Sequence, residues 1–484
     1  MEKRFLKLFF LVYSLEYAAC YVPQTRESYD TIVIGVGSSG TTAASTLAKA
    51  GKRVLALEAE DRIGGRIKTV PFGDGVVELG AEWIHGSEHS RVYETAVKNN
   101  ISVYPEDSNF KVFKSDGNEG NKELIQELLT FSLETVAPPS HKPEPLGNFV
   151  TKKLTDYLEK KHPEVLNDQE FIDEFLDLAN FIVNSYQASS DWNDVTTDSD
   201  YEALEGNQEI SWHRYGYKTF LELLLNTYNN GPGWPSLEIK LNKEVTLIKW
   251  PKNSTGDVEV LCKDGSVYTA NNVIVTVSLG VLKERHSTMF SPPLPERKAT
   301  VIDKLTIGVV GKTIFSFPHA WWPDVTQFIL FWSSEDREVY KDNPWVLQLK
   351  SVGKPLGCDN SLSLWANGDI AKLIETLPED VVRTKMMEVL KKFLGKNVTV
   401  PEPTDMIRSQ WFSNPFTRGS YTYDNLLKPD YPNARAILGE PLLDALGNPK
   451  VLFAGEATDL IHFSTVHGAS ESGYREASRL LPTT

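Results

Sequence analysis

The stretch TIVIGVGSSGTTAASTLAKAGKRVLALEAEDRIGGR, from Thr31 to Arg66, decides the fold. Ile32, Val33 and Ile34 form a short β-branched apolar run. It breaks into Gly35-Val36-Gly37-Ser38-Ser39-Gly40 and then into an Ala- and Leu-bearing helical pattern that ends near Ala50-Gly51. A second strand from Arg53 to Leu57 delivers Glu58, eighteen residues beyond Gly40. Strand, glycine turn, helix, strand and a carboxylate at that distance are the parts of a dinucleotide-binding fold. The glycines permit a tight turn, a close backbone approach to a pyrophosphate and a helix packed against its strand. The helix N-terminus adds unpaired N–H groups for the phosphate charge.

Around this unit the chain is too long for one core: 484 residues predict two or three domains. A hydrophobic content of 41% and a charged content of 24% are those of a soluble globular protein. The formal net charge of -15 argues against nucleic acid as a partner; it suits a cationic substrate, and equally it suits simple solubility. Met1 to Pro23 resembles a secretory signal peptide, with Lys3 and Arg4 before a mostly apolar run and small residues near Cys20. It is too short and charged for a membrane span. Secretion, or the lumen of the secretory pathway, is therefore expected, with residues 1–22 removed. Cys262 and Cys358 would remain and could form one disulfide, and sequons stand at Asn100, Asn253 and Asn397.

Downstream, Val76 to Leu79 reads as a strand turning at Gly80 into Ala81-Glu82-Trp83-Ile84-His85-Gly86. Residues 100–206 read as a helical insert, with helices over Lys122 to Glu134 and Asp168 to Ile182 between Pro-rich and acidic loops such as Ala137 to Pro145. Strand patterns return over Leu237 to Trp250, Val258 to Val267 with a Lys263-Asp264-Gly265 hairpin turn, and Asn272 to Val277. Ile302 to Phe317 reads as a strand pair, Val325 to Trp365 as further β pattern and Gly368 to Leu394 as amphipathic helices. Pro449 to Leu480 reads as a strand, a Gly455-Glu456 turn, a loop and a helix from near Val466.

The nine histidines are scattered, with no HExxH, paired CxxC or GxSxG motif, so no metal site is expected. Redox chemistry carried by the bound dinucleotide is the default. Lys312 stands out. It is a lone cation inside Val310-Gly311-Lys312-Thr313-Ile314-Phe315-Ser316-Phe317, and burying a lysine is costly unless it is paired or functional.

Five ordered blocks carry a resemblance to a known family: Gly35 to Arg66 with Glu58-Ala59 and Arg62-x-Gly64-Gly65-Arg66, ELGAEWIHG over 78–86, VIVTVSLGVLK over 273–283, WFSNPFTRGSYTY over 411–423, and Phe453 to Gly473. From about Tyr29 to Leu480 the sequence resembles the flavin-dependent amine oxidases, in their polyamine oxidase and spermine oxidase branch. The implied fold class is α/β. It comprises a discontinuous Rossmann-like FAD-binding domain (28–95, 236–295 and 430–484) and an α+β substrate-binding domain with a mixed sheet and helical insert (96–235 and 296–429).

The resemblance also implies roles. The FAD pyrophosphate lies on Gly35, Gly37, Ser39 and Gly40, with Glu58 and Ala59 at the adenosine ribose and Val245 at the adenine side. Arg66, Gly80, Ala81, Glu82, Trp83 and Trp411 hold the pyrophosphate and flavin region. Glu456 binds the ribityl chain or pyrophosphate. Thr465 and Val466, opening the last helix, face the flavin C2 carbonyl, where a helix N-terminus stabilises negative charge. Lys312, with Phe317 and Trp322 five and ten residues on, matches the lysine that holds a water near flavin N5 and assists either substrate deprotonation or oxygen reduction. Glu82, His85, Tyr421 and Thr465 are the expected substrate contacts.

Two departures narrow the expectation. Ser420 stands where monoamine oxidases carry the cysteine bonded to flavin, so FAD is expected to be non-covalent. Thr465 replaces a second caging aromatic, as in animal polyamine and spermine oxidases. The expected partners are a polyamine and molecular oxygen, with no nucleic acid and no stable membrane insertion, in a monomer or weak dimer. Another amine class, or a weakly catalytic flavin-binding scaffold, is the alternative.

Overall fold

The computed structural model describes residues 28–106, 109–136 and 142–482, and the opening unit lies at its centre. Ser28–Ile34 and Val54–Leu57 are strands joined by the helix Ser38–Lys49. They pair in parallel, Ile32 opposite Leu55 and Ile34 opposite Leu57. Parallel neighbours need a crossover, which the helix supplies. Alternate residues serve opposite faces. Val33, Val54 and Ala56 pack with Ala43, Ala44 and Leu47 of the helix, while Ile32, Ile34, Leu55 and Leu57 enter a second core on the far side. Both faces are covered, so the strands read as unbroken apolar runs rather than as an alternation.

The sheet grows outward from this pair. Val267–Val275 adds in parallel beside Ser28–Ile34, and Pro449–Phe453 in parallel beyond it. Leu237–Lys240 adds in parallel beside Val54–Leu57. Val258–Cys262 and Val245–Lys249 continue antiparallel, completing a nine-stranded sheet with two short strands at 290–291 and 442–443. The last helix, Val466–Arg479, lies against Ser38–Lys49. Gly473 is required at this contact, because a Cβ there would stand 2.1 Å from the Ser39 carbonyl oxygen.

A second, six-stranded sheet runs in the order Asp405–Arg408, Val310–Ser316, Ser361–Asn367, Ser351–Gly353, Gln327–Phe331, Phe110–Lys114. It is mixed: its last pair is parallel and the others are antiparallel. One face packs on the helices Gly368–Thr376 and Glu379–Leu394 through Phe315, Phe328, Leu364 and Phe393. The other, through Val112 and Ile329, packs on the helices of the insert, Lys122–Val136, Leu146–Lys161 and Gln169–Gln187.

Several expectations are corrected. The run 237–250 is two strands in different parts of the sheet, broken where Asn242 takes the left-handed φ of 57°. The stretch 302–317 is no strand pair. It begins in the helix Glu296–Lys304, and its strands Thr306–Ile307 and Val310–Ser316 pair elsewhere. Ile302 and Leu305, read as part of that β run, lie with Val301 on the buried side of that helix end. The expected strands ending at Val267 and starting at Asn272 are joined in one nine-residue strand, where Asn272 accepts a hydrogen bond from Thr31 Oγ1 at 2.7 Å. Cys262 and Cys358 are free, buried in separate clusters, so the possible disulfide is absent. The signal-like segment lies outside the described residues. Among those described, no helix is long and apolar enough to cross a membrane.

Candidate active site

A single cavity of about 860 Å³ runs from the C-terminal ends of the parallel strands to the second sheet. Its volume is that of a site for a cofactor or other small molecule, and the strand ends are where open α/β sheets bind ligands. Gly35, Glu58 and Thr276 line one end, and Lys312, Trp365 and Tyr421 the other.

At the first end the glycines do what the turn requires. Gly35 has φ +95°, and a Cβ on Gly40 would lie 1.9 Å from the Gly35 carbonyl oxygen. Gly37 is the extended N-cap of Ser38–Lys49, with no side-chain cap and no acidic residue in the first turn. The first N–H groups, beside Ser38 and Ser39 on the cavity wall, therefore suit an anion. Glu58 is aimed by two backbone donors, Val36 N–H at 2.8 Å and Glu60 N–H at 2.9 Å. Burial outweighs these bonds and raises its pKa above the ordinary carboxylate value. Ala59 and Val245 line the wall beyond. The donor set and the clearance fit a dinucleotide.

Midway, Arg66 donates to Glu456 Oε1 at 2.8 Å and to the Ser420 carbonyl at 2.6 Å. Glu456 Oε2 accepts from Thr422 Oγ1 at 2.7 Å and from Ser464 N–H at 3.0 Å. Burial alone would raise the pKa of Glu456, but the charge and hydrogen bond of Arg66, aided by Thr422 and Arg435, hold it below the usual value. Arg66 and Glu456, expected separately on the cofactor, are thus partners on one wall. Thr465 caps Val466–Arg479: its hydroxyl accepts from Gly468 N–H at 2.9 Å and donates to the His462 carbonyl at 2.6 Å. The hydroxyl is committed to the cap, while Thr465 and Val466 still line the cavity at the positive end of the helix. Ser464 before it takes the left-handed φ of 68°, a strained conformation held by its bonds to Glu456 and Thr422.

At the far end Lys312, with its side chain 4% exposed, rises from Val310–Ser316. Its Nζ donates to the carbonyls of Glu78 at 3.1 Å and Gly80 at 3.0 Å and to Glu82 Oε2 at 2.5 Å. It also lies 4.5 Å from the centre of the Trp365 ring, its direct cross-strand neighbour. Trp365 stacks on Trp83 at 5.6 Å, and Trp83 Nε1 donates to Glu106 Oε2 at 2.5 Å. Burial, then the charge of Glu82, pushes Glu106 up to about 7. Burial likewise raises Glu78 to about 7, against its bonds from Tyr217 N–H and Thr69 Oγ1. Gly80 leaves no room for a Cβ, which would be 1.9 Å from the Arg66 carbonyl oxygen; Ala81 N–H donates to that same oxygen. Trp411 Nε1 donates to the Leu79 carbonyl at 3.1 Å, bracing this turn.

His85 Nδ1 is bonded to the Gln208 carbonyl at 2.6 Å, and burial lowers its pKa, favouring the neutral ring. The Tyr421 hydroxyl donates to the Ser185 carbonyl, leaving its ring as the cavity wall. All the residues singled out as site candidates border this cavity except Gly40, which packs behind it. Phe317 and Trp322 do not; they pack edge to face in the core of the second sheet. Sequence reading missed Glu78, Glu106, Glu209 and Trp365. Trp365 could be found only from the register that sets it opposite Lys312, and Glu106 was one acid among many in an acidic chain.

The family model described as "Flavin containing amine oxidoreductase" matches residues 38–481. The chain is 30% identical to the human "Peroxisomal N(1)-acetyl-spermine/spermidine oxidase", over 93% of this chain and 94% of that one. It is 29% identical to "Probable polyamine oxidase 5" of Arabidopsis thaliana, over 93% and 97%. It is also 27% identical to "Lysine-specific histone demethylase 1 homolog 2" of the same plant, over 96% and 60%. A flavin-sized cradle with a satisfied lysine at its far end, and a family match across nearly the whole described chain, lead to one conclusion: the protein belongs to the flavin containing amine oxidoreductase family.

Proposed function

We propose that the protein oxidises polyamines, such as spermine, spermidine or their N-acetylated forms, with a non-covalent FAD. The observation that carries this reading is the continuity of one cavity, from a glycine-turn cradle to an aromatic compartment walled by Glu82, Glu106 and Glu209. A polyamine presents cations separated by methylenes, and aromatic faces with acceptors between them match that pattern. Bound FAD supplies the redox chemistry: a hydride leaves the carbon next to an amine nitrogen, oxygen takes the two electrons to become hydrogen peroxide, and hydrolysis of the imine gives an aldehyde and a shorter amine.

The chain's own residues bind and orient. The segments 28–95, 236–295 and 430–484 form the FAD-binding domain, and 96–235 with 296–429 the substrate-binding domain. Glu58 takes the ribose, the Ser38–Lys49 N-terminus the pyrophosphate, and the Val466–Arg479 N-terminus the electron-rich edge of the flavin. Lys312 is the catalytic residue. Tyr421 supplies an aromatic wall for the amine, and Glu82, His85 and Thr465 border its path. Non-covalent binding is supported by Ser420 and by the absence of any cysteine from the cavity lining among the described residues. Export through the secretory pathway is supported by the leader-like N-terminus and by exposed sequon asparagines at 100, 253 and 397. The working unit is a monomer or weak dimer.

Peroxide release by the flavin-loaded protein across a panel of spermine, spermidine, their acetylated forms, monoamines and an N-methyl-lysine peptide tests the reading. Turnover concentrated on polyamines supports it. Turnover only of monoamines or of the peptide, the reaction class named by the demethylase match, overturns it.

A further inference from the structure

Lys312 has as many acceptors as an ammonium has N–H bonds: the Glu78 carbonyl at 3.1 Å, the Gly80 carbonyl at 3.0 Å and Glu82 Oε2 at 2.5 Å. A neutral amine offers one donor fewer and would turn its lone pair on one of these oxygens. The socket therefore matches the charged form and leaves no N–H for a water or substrate in the cavity. Two of the acceptors are backbone carbonyls, fixed because Gly80 is wedged against the Arg66 carbonyl. The third is a side chain on the cavity wall, 15% exposed.

We infer that Glu82 is a positioning residue for Lys312: its carboxylate holds the lysine folded back into the socket, and only release of that contact lets Lys312 present a donor or a lone pair to the cavity. The inference rests on the reading that the reacting edge of the flavin lies beside Lys312. It separates Glu82 from Glu78 and Glu106, whose carboxylates do not touch the lysine. Glu106 is held by Trp83, and the side chain of Glu78 by Tyr217 N–H and Thr69. Arg408, on the adjacent strand, points away to the Ile374 and Leu377 carbonyls. The ionisable groups facing Lys312 are thus Glu78, Glu82 and Glu106, and Glu82 alone contacts its Nζ through the side chain.

The test uses the FAD-loaded enzyme and no amine. Wild type, Glu82→Gln and Glu82→Gln combined with Lys312→Met are photoreduced and mixed with oxygen from pH 6 to 10, and flavin reoxidation is followed by absorbance. An opposite charge in contact favours the charged form of its partner, so removing it changes how the partner titrates. Glu82→Gln should therefore give a pH profile of reoxidation that differs from that of wild type, and the double variant should lose that difference. Superimposable profiles for Glu82→Gln and wild type, or a difference that survives Lys312→Met, overturn the inference. Should Glu82→Gln retain no flavin, Glu82→Ala carries the same expectation; loss of flavin from both overturns it too, because Glu82 would then hold the cofactor rather than the lysine. Since no polyamine is used, failure of wild type to oxidise polyamines would sink the proposed function and leave this test standing.

Discussion

A lysine with its side chain 4% exposed survives burial because every N–H is answered, and release of one of those contacts is what would free Lys312 for chemistry. Lys312→Met should leave flavin content unchanged and lower turnover of the preferred amine by about 10²-fold, the low end for a positioned proton-handling group. Steady-state rates normalised to bound flavin check this. Glu106 is expected to act on binding instead. Glu106→Gln should raise KM for a polyamine about tenfold, or ~1.4 kcal/mol, with kcat little changed. Because its carboxyl is raised to about 7, it is mostly protonated below that pH and charged above it. In wild type kcat/KM should therefore climb from pH 6 to 8, and a pH profile of Glu106→Gln should lose that part of the climb. Deprotonation of the reacting nitrogen adds a further rise towards alkaline pH in both proteins. Lys312 was legible in the sequence because a lone charge in an apolar run is conspicuous. Glu106 and Trp365 were not, because their meaning depends on pairings across long chain separations: Lys312 with Trp365, and Pro105 with Ile210.

Among the elements, the strand–turn–helix–strand unit was readable because its constraints are local. Gly35 needs a positive φ, Gly40 has no room for a Cβ, and the alternation of Ile32, Val33 and Ile34 is satisfied by apolar cores on both faces. Gly40→Ala should cost about 1–3 kcal/mol through overpacking against the Gly35 carbonyl. It should also displace the phosphate cradle, so the purified protein should retain much less flavin; the ratio of flavin to protein absorbance reads this directly. The helix Glu296–Lys304 was missed for the converse reason. Its apolar residues run straight into the short strand Thr306–Ile307 without a glycine or proline between them, so helix end and strand merge into one β-like run. The cap at Thr465 shows the same limit in the site. The resemblance implied the position, but the engagement of the hydroxyl with Gly468 and His462 is a matter of three-dimensional closure.

Over the whole molecule, the site exists because two sheets share one cavity. The nine-stranded sheet supplies the cradle, the six-stranded sheet supplies Lys312 and Trp365, and the turn at Gly80 joins them through the Lys312 and Trp411 hydrogen bonds. The alternation of segments between the sheets could be anticipated from changes in pattern along the chain, whereas the strand order of the second sheet could not. Its edge strand Phe110–Lys114 lies more than two hundred residues from its partner Gln327–Phe331. The acids on the cavity wall are the basis for proposing a polycation rather than a neutral amine. Anaerobic mixing of the flavin-loaded protein with spermine, followed at the flavin absorbance band, tests this most directly. Polyamine oxidation predicts that spermine or one of its acetylated forms bleaches the flavin at least about tenfold faster than an aromatic monoamine, a difference of ~1.4 kcal/mol in barrier. A fully flavin-loaded protein whose absorbance no polyamine bleaches would contradict it.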